Sequence, residues 1–528
     1  MAQLQTEGGG LTHSQMQIWI GQRLNPESPL YNMAFAFVFP TELRPDLFCE
    51  AWRRVADGSD ALRTRVVEDE GGGTRRALGV STGPTSVLDF GTRPHPEDEF
   101  RRWCRQRCAR PLPLGGELVD SVLVRLGEGR TGWYLNQHHL VADAWSTLLL
   151  YREVGAEYEA LLGGKCAERP PLSAYYPTAA ALQPRAVQRA KALEHWARRQ
   201  QRSGRSVPLY GRSTDPVGTA STRLTLEIDE DRSRALDRLS RQEGFLSLTE
   251  GLSRFALFAT LFVSWLHRVS GYSDLGFDAP VTGRPTPEAK RALGLFIEMF
   301  PFAVTVEPHD TFRSLGAKCL EEAKLFLLHA LPAVSSPSGA SASNVVLNYF
   351  PASFGKFAGA PVEVDWVHPG HGDSVHALRL QVHDFSGSGR TILHFDFNEG
   401  ALPERFRHRS LEHFGKVLEA FLEDPDQPIA SVDVRVEDER QAMASLNATD
   451  SSPLPDRSVV ALFEAQSGRE PDRVALRQGR LELSYAALRE QSEALAATLA
   501  EHGLKPGERV AIISRRSTLA VIAVVAAL

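Results

Sequence analysis

Residues 132–148 read GWYLNQHHLVADAWSTL, and this stretch decides how the first part of the chain is expected to fold. The segment GWYLNQHH (132–139) predicts a β-strand, because it begins with the strand-favouring aromatic residues Trp133 and Tyr134. Residues 146–162 predict a helix, because their apolar side chains recur at helical spacing. The loop LVADAW (140–145) therefore joins two rigid elements, a position where catalytic side chains are often displayed.

Two adjacent histidines, His138 and His139, end the predicted strand. Successive side chains of a strand point to opposite faces, so one imidazole can face a cavity while the other packs inside. The exposed one is a candidate general base. Asp143 follows in the loop, where it can fix the loop through an arginine rather than act on a substrate. The alternative is a pair of core histidines followed by an Asx turn.

Outward from this loop, helical and strand patterns alternate, which predicts an α/β protein. We expect a first lobe over residues 1–180 and a second lobe over 181–440. A Pro-, Ser- and Asp-rich stretch predicts a linker over 441–457. Residues 458–528 begin a new periodic unit, and the apolar run at its end has no helix-stop signal, so we expect the chain to stop within a domain.

Composition narrows the function classes. The 528 residues include 59 basic and 65 acidic side chains, a net charge of -6 that argues against nucleic-acid binding. Five scattered cysteines and no signal peptide predict a reducing, cytoplasmic location. The apolar run 255–266 is shorter than the roughly 20 residues that span a bilayer, so no membrane association is expected. Cys104 and Cys108 lack a second ligand pair, so we expect no metal site.

Five segments, in order, resemble the motifs of condensation domains from nonribosomal peptide synthetases. They are LTHSQMQIWIGQ (11–22), SDALRTRV (59–66), the double-histidine loop, PVTGRP (280–285) and LGLFIEMFPF (293–302). The later segment LSYAAL (483–488) resembles an early motif of adenylation domains. Condensation followed by adenylation is the usual module order. The motifs run from residue 11 to residue 488, so the resemblance covers nearly the whole chain.

The resemblance implies a fold similar to chloramphenicol acetyltransferase, with two αβ lobes in a V and the double-histidine loop at a tunnel between them. It also implies amide bond formation, in which an acceptor amine attacks the thioester carbonyl of a donor. Both substrates would be carried on phosphopantetheine arms of carrier proteins, and no cofactor is expected on the chain itself. The acceptor carrier would belong to the same synthetase, and the donor carrier would arrive in trans, because Met1 lies close to the first motif.

The resemblance also assigns roles within the catalytic motif. His139 would take the proton of the amine or position the amine, and His138 would be structural. Asp143 would fix the loop, with Arg284 as its expected partner; the alternatives are Arg63 as the partner or a surface role for either residue.

The resemblance also suggests residues that line the tunnel and the acceptor pocket. Ala144, which replaces the usual glycine, and Trp145 would line the tunnel, while Asn348 and Tyr349 would line the acceptor pocket. Glu298 and Met299 replace the family's common Val-Asn-Thr stretch, and the sequence assigns them no role.

Rival functions would leave other features in the sequence. A heterocyclisation domain would carry aspartates in place of both histidines, and an epimerisation domain normally follows a carrier. A starter-type domain that N-acylates with a fatty acyl group stays open, as does a catalytically silent recruitment platform. Residues 458–528 contain no phosphate loop with lysine, so this segment is not expected to activate an amino acid. We expect the chain to act as a monomer.

Overall fold

The computed structural model describes residues 4–68, 74–79, 82, 85–165, 168–203, 206–212, 215–335, 343–449 and 458–528. Its contacts divide the chain into two compact units, Met1–Val436 and Glu437–Leu528. Of the predicted linker 441–457, residues 441–447 are helical, and residues 450–457 lie outside the described residues. Three acidic residues in the first turn of that helix stabilise its start, because their negative charges interact favourably with the positive end of the helix dipole.

Helices and strands alternate along the chain, which confirms the predicted α/β class. The helices are α1 (His13–Leu24), α2 (Pro45–Asp57), α3 (Pro96–Cys108), α4 (Ala144–Leu162), α5 (Tyr175–Ala181), α6 (Ala186–Ser203), α7 (Glu230–Leu239), α8 (Glu250–Ser270), α9 (Pro287–Lys290), α10 (Phe312–His329), α11 (Glu404–Glu423), α12 (Glu437–Asn447), α13 (Val459–Arg469), α14 (Tyr485–Glu501) and α15 (Thr518–Ala527), with a 3-10 turn at Ile429–Ser431. The strands are β1 (Leu4–Gly9), β2 (Asn32–Phe39), β3 (Thr64–Glu68), β4 (Thr74–Gly79), β5 (Ser86–Asp89), β6 (Val119–Gly127), β7 (Arg130–His138), β8 (Ser221–Ile228), β9 (Asp274–Val281), β10 (Glu298–Thr305), β11 (Val345–Phe350), β12 (Glu363–Val367), β13 (Leu378–His383), β14 (Thr391–Asn398), β15 (Val474–Gln478) and β16 (Leu481–Ser484).

The first lobe is built on a five-stranded sheet with strand order β12-β2-β7-β6-β5. Every residue of β2 is buried, because helices cover both faces of the sheet. Phe35 and Phe37 pack in one apolar cluster with residues of α2 and α4, whereas Ala34 and Ala36 pack in another with residues of α3. Strand β7 lies in the middle of this sheet, so the loop at its end is held firmly. A three-stranded sheet, β1-β4-β3, lies in the same unit.

The second lobe has a six-stranded sheet with two chemically different faces, in the order β10-β9-β11-β13-β14-β8. Leu378 and Leu380 of β13 belong to the large apolar cluster that includes the buried residues of α8, α10 and α11. Arg379 and Gln381 alternate with them and therefore point to the opposite face. That polar face is the one available for a site.

Strand β12 connects the two lobes in a way that the predicted boundaries do not anticipate. Its residues fall within 181–440, the range predicted for the second lobe, yet β12 pairs antiparallel with β2 of the first sheet, from Glu363↔Val38 to Val367↔Ala34. Arg223 of β8 donates to the carbonyl oxygen of Trp366 at 2.7 Å and thereby ties this strand to the second sheet. Such non-local pairing leaves no periodic signal in the sequence.

The second unit contains α12 to α15 and the antiparallel pair of β15 and β16. The segment LSYAAL lies where β16 ends and α14 begins. Ser484 caps α14 there, because its hydroxyl oxygen accepts a hydrogen bond from the amide of Ala487 at 3.2 Å. Over the part of the chain that the structure describes, no helix combines the length and the apolar character that a membrane span requires.

Candidate active site

The side chain of His138 holds the loop between β7 and α4 through hydrogen bonds. Its side chain is fully buried, the amide of Leu140 donates to Nδ1 at 3.1 Å, and Nε2 lies 3.2 Å from Oε1 of Gln22 on α1. With Nδ1 as the acceptor, Nε2 carries the proton and donates to Gln22. Burial lowers the pKa of His138 to about 3, and the neighbouring His139 adds to that shift. Both ring nitrogens are therefore used in structural hydrogen bonds.

His139 faces a cavity between the lobes. Its backbone amide donates to the carbonyl oxygen of Tyr31 at 2.8 Å, and its side chain is half-buried at the cavity wall. Among the described residues, Nδ1 of His139 is buried without a hydrogen-bond partner. Burial lowers the pKa of His139, and the Asp143 carboxylate opposes that shift. The imidazole is therefore neutral at pH 7 and available as a proton acceptor.

Asp143 is buried at the N-terminus of α4 and serves as its cap. Its Oδ1 accepts hydrogen bonds from the amide of Ser146 at 2.8 Å and from the Ser146 hydroxyl at 2.9 Å. Its two carboxylate oxygens lie 2.9 and 3.0 Å from Nη2 of Arg284, and the amide of Phe296 donates to Oδ2 at 3.0 Å. The carboxylate is therefore saturated, and its geometry suits a loop anchor rather than a reactive group.

Arg284 extends this anchor across the two lobes. Its side chain is almost fully buried, and Nη1 donates to the carbonyl oxygens of Ala289 at 2.7 Å and Ala292 at 2.6 Å. Of the two partners that the sequence left open for Asp143, the structure places Arg284 against it. Arg63 instead donates to the carbonyl oxygen of Gly79 at 3.0 Å and lines a separate surface groove.

The cavity in front of His139 has a volume of about 220 Å³ and takes its walls from both lobes. The first lobe contributes residues of α1, the segment before β2 and His139 itself, while the second lobe contributes the polar face of its sheet. A larger groove of about 650 Å³ lies elsewhere, but no residue of the double-histidine loop lines it. The smaller cavity is therefore the candidate active site.

Paired polar side chains form the second-lobe wall of the cavity. Nδ2 of Asn348 donates to Oε1 of Gln381 at 2.7 Å, and Nε2 of Gln381 donates to Asp396 at 3.3 Å. Asp396 in turn accepts two hydrogen bonds from Arg223, at 2.6 and 2.8 Å. This wall offers polar groups to a bound substrate while its charges remain paired.

A second set of paired charges lies beside it on the same wall. Arg379 pairs with Asp373, and Nδ1 of His376 lies 2.9 Å from Oδ1 of Asp373. Arg379 carries a positive charge that acts on both His139 and Tyr31 and lowers the pKa of each, although burial raises the pKa of Tyr31 overall. The sequence motifs did not point to Arg379.

The other predicted pocket residues lie in different surroundings. Asn348 lines the cavity, but Tyr349 is its neighbour on β11 and points to the opposite face, where its ring stacks on Phe258 with centroids 5.6 Å apart. Trp145 donates its indole N–H to the carbonyl oxygen of Lys290 at 3.1 Å, and Ala144 packs against the apolar cluster of the first lobe. Tyr349, Trp145 and Ala144 are not among the described residues that line the cavity.

Two residues that support the histidines were not predicted from the sequence. Gln22 orients His138, and the carbonyl oxygen of Tyr31 holds the backbone of His139. Gln22 lies in the first motif, LTHSQMQIWIGQ, but its burial and its contact with His138 are visible only in the structure. Cys104 and Cys108 are core residues of the first lobe, where burial raises the pKa of both thiols and disfavours the thiolate that a metal would need.

Comparisons with known proteins identify the family of the chain. Residues 9–339 match the family described as condensation domain, and residues 463–528 match the family described as AMP-binding enzyme. One of the linear gramicidin synthase polypeptides of Brevibacillus parabrevis is 26% identical over 96% of this chain. The chain spans 10% of the length of that relative.

Solved structures share the fold. The first condensation domain of the calcium-dependent antibiotic synthetase, in complex with a substrate analogue, superposes with a TM-score of 0.72, at 22% identity, over 82% of this chain and 100% of that domain. A variant of the starter condensation domain of rhizomide synthetase RzmA, in complex with C8-CoA, gives a TM-score of 0.70, at 22% identity, over 81% of this chain and 97% of that one. The fold that the motifs implied is thus confirmed, and the chain belongs to the condensation domain family, followed by the start of an AMP-binding enzyme domain.

Proposed function

We propose that this chain forms an amide bond between a donor acyl or peptidyl thioester and the amine of an aminoacyl thioester, with both substrates held on the phosphopantetheine arms of carrier proteins. Condensation domains of nonribosomal peptide synthetases catalyse peptide bond formation, and the chain is an enzyme of that class. The observation that carries the proposal for this site is the contrast between its two histidines. His138 uses both ring nitrogens in the fold, whereas His139 presents a neutral imidazole to a cavity between the lobes.

The proposed reaction follows from the protonation states. The free acceptor amine, whose ammonium form has a pKa of about 8, attacks the thioester carbonyl carbon of the donor. As the C–N bond forms, His139 accepts a proton from the amine, and a tetrahedral intermediate results. The C–S bond then breaks, and the proton on His139 passes to the leaving thiolate of the donor arm. Amide and free thiol are the products, and the imidazole is neutral again.

The remaining motif residues act through position in this proposal. Asp143 and Arg284 fix the loop that carries His139, and the polar wall with Asn348 faces the bound acceptor. Holding both thioesters in one cavity makes the attack effectively intramolecular. This can lower the activation free energy by several kcal/mol, about 7 at well-oriented sites. We propose that the enzyme acts in the cytoplasm, and the four described cysteines, all free thiols, suit a reducing compartment.

Transfer between two loaded carriers tests the proposal. The donor carrier is supplied as a separate protein loaded in turn with peptidyl, aminoacyl and fatty acyl groups, and the mass of the aminoacyl acceptor carrier is followed. We expect the acceptor to gain the donor's acyl mass, and His139→Ala to slow that gain by about 10²- to 10⁴-fold, the usual contribution of a general base. His309→Ala, in an exposed loop, is the matched control.

The outcomes separate the alternatives that the sequence left open. Gain only from the fatty acyl donor would assign the starter-type reaction. Gain that persists in His139→Ala would remove His139 from the chemistry. No gain with any donor would favour a silent recruitment platform.

A further inference from the structure

Glu298 lies at the start of β10, where the sequence departs from the family pattern. Its side chain is buried, and it lines the same cavity as His139. Glu298 also lines a small adjoining pocket of about 30 Å³ that residues of α1 and the segment Pro332–Ala333 enclose. The carboxylate therefore stands where the cavity meets α1 of the first lobe.

Four hydrogen bonds hold this carboxylate. Oε1 accepts from the amide of Ala333 at 2.7 Å and from the hydroxyl of Ser14 at 3.3 Å. Oε2 accepts from the hydroxyl of Ser335 at 2.5 Å and from its amide at 3.3 Å. Glu298 thus joins three pieces of chain, namely α1, β10 and the segment 333–335.

The charge of Glu298 is stabilised by neutral donors. Within the described parts of the chain, no basic side chain forms an ion pair with it, although burying an unpaired carboxylate is costly. Uncharged donors in fixed positions reduce this cost only while the segment 333–335 keeps its conformation. The carboxylate and the segment therefore depend on each other.

The segment 333–335 is also held from the side of α1. Nε2 of His13 lies 3.3 Å from the carbonyl oxygen of Ser335, and Nε2 of Gln17 donates to the Ser335 hydroxyl at 3.4 Å. Ala333 has a φ of 59°, in the left-handed region that non-glycine residues rarely adopt. Its amide reaches Glu298 in that conformation, so the hydrogen bond to Oε1 helps to maintain a strained backbone.

We propose that Glu298 is a positioning residue for the condensation reaction, because its hydrogen bonds to Ser14 and to the segment 333–335 fix the cavity wall of α1 and β10 along which one thioester arm reaches His139. The proposal rests on the proposed function. A fixed wall binds the arm equally in the ground state and in the transition state. Loosening that wall weakens the productive binding of one substrate and leaves the proton transfer at His139 intact.

Steady-state kinetics with two loaded carriers test this role, each carrier being varied while the other is saturating. Glu298→Gln keeps the shape of the side chain but turns one acceptor oxygen into a donor that faces N–H or O–H groups. We expect the KM for one of the two carriers to rise by about ten-fold, with kcat changed less than about two-fold, the pattern of lost binding common to ground and transition state. Ser335→Ala should raise the same KM, and the double variant should add little to the larger single effect.

Glu322→Gln is the matched control. Glu322 is also buried, on α10, where it pairs with Arg199 and does not line the cavity. It should lower stability and leave both KM values unchanged. The proposal is overturned if Glu298→Gln leaves both KM values unchanged or lowers kcat alone, or if Glu322→Gln raises the same KM. Transfer that is absent in the wild type would instead count against the proposed function, and the positioning role would fall with it.

Discussion

Two adjacent histidines differ in chemistry because their side chains lie in different surroundings. His138 is fully buried and hydrogen bonded at both nitrogens, so its imidazole is fixed in one orientation and one tautomer. His139 lies at the cavity wall, and the Asp143 carboxylate partly offsets the effect of burial on its pKa. Because successive side chains at the end of a strand point to opposite faces, two identical residues acquire different roles.

The lowered pKa of His139 predicts its titration. Below its folded-state pKa the imidazole is protonated and cannot accept a proton, so the active form is present at neutral pH and is lost as the pH falls. NMR of histidine-labelled protein should give a titration midpoint for His139 below 6.5, the value of an unperturbed imidazole. The signal that disappears in His139→Gln identifies the residue. A midpoint at or above 6.5 would contradict the effect of burial described for this site.

At the residue scale, the sequence motifs predicted the pairing of Asp143 with Arg284 as one of two options. They did not separate Asn348 from Tyr349, although strand alternation allows only one of the two to face the cavity. Arg379 and Gln22 were missed because each acts from an element distant in sequence, and no local pattern marks such a contact. A single sequence does not reveal side-chain roles that depend on contacts between distant elements.

Helix α4 begins at the point where the two lobes are joined. Asp143 caps the helix, and Arg284 of the second lobe binds the same carboxylate. The hydroxyl oxygen of Ser146 adds to the junction by accepting a hydrogen bond from the amide of Gly294 at 3.0 Å. One carboxylate thus fixes both the helix start and the position of the double-histidine loop.

Breaking this buried ion pair should be strongly destabilising. Arg284→Met leaves the Asp143 carboxylate buried without its cation, and we expect the free energy of unfolding to fall by about 3–5 kcal/mol. Urea denaturation followed by circular dichroism measures the change. The exposed pair of Arg44 and Asp46 supplies the control, since Arg44→Met should leave the denaturation midpoint unchanged. Equal effects of the two variants would show that the junction does not depend on the buried pair.

Helices and strands with strong periodicity were predicted closely from the sequence. The predicted strand 132–139 and the predicted helix 146–162 appear as β7 and as α4. The overlap of α12 with the first residues of the predicted linker was not foreseen, because the stretch is polar and its helix has no buried residues. Local periodicity identifies elements that bury an apolar face, and α12 buries none.

Across the molecule, neutral histidines accumulate on the polar face of the second sheet. The rings of His383 and His394 have centroids 4.9 Å apart, and His383 also stacks on Phe385 at 4.0 Å. Burial lowers the pKa of His383 to about 2, of His394 to about 3 and of His368 to about 4. Each of these side chains is neutral in the folded protein at pH 5 and would be protonated in the unfolded chain at that pH.

This arrangement predicts acid sensitivity. A histidine whose folded-state pKa is depressed binds a proton more readily when unfolded, so its contribution to stability is present above pH 6.5 and is lost as the pH falls. Between pH 7 and pH 5, His383 alone should reduce the free energy of unfolding by about 2 kcal/mol. His383→Phe should remove that part of the pH dependence, and the exposed His309→Phe should not. Urea denaturation at both pH values would refute the idea if His383→Phe kept the full difference.

At the scale of the molecule, two αβ lobes and a following unit were predicted from alternating patterns and from motif order. The exchange of a strand between the lobes was not predicted, because no pattern in the sequence assigns β12 to either sheet. The strand pairs with β2 only in the folded protein. Contacts between segments hundreds of residues apart have no periodic signature.

The position of β12 has a consequence for the halves of the domain as separate polypeptides. A fragment ending near residue 182 would contain β2 without β12, one of its two neighbours, and the backbone edge of a fully buried strand would be open to water and to aggregation. The complementary fragment would carry a strand with no sheet to join. The two pieces are therefore suited to reassemble into one body by donor-strand complementation when they are co-expressed, and neither is suited to fold alone.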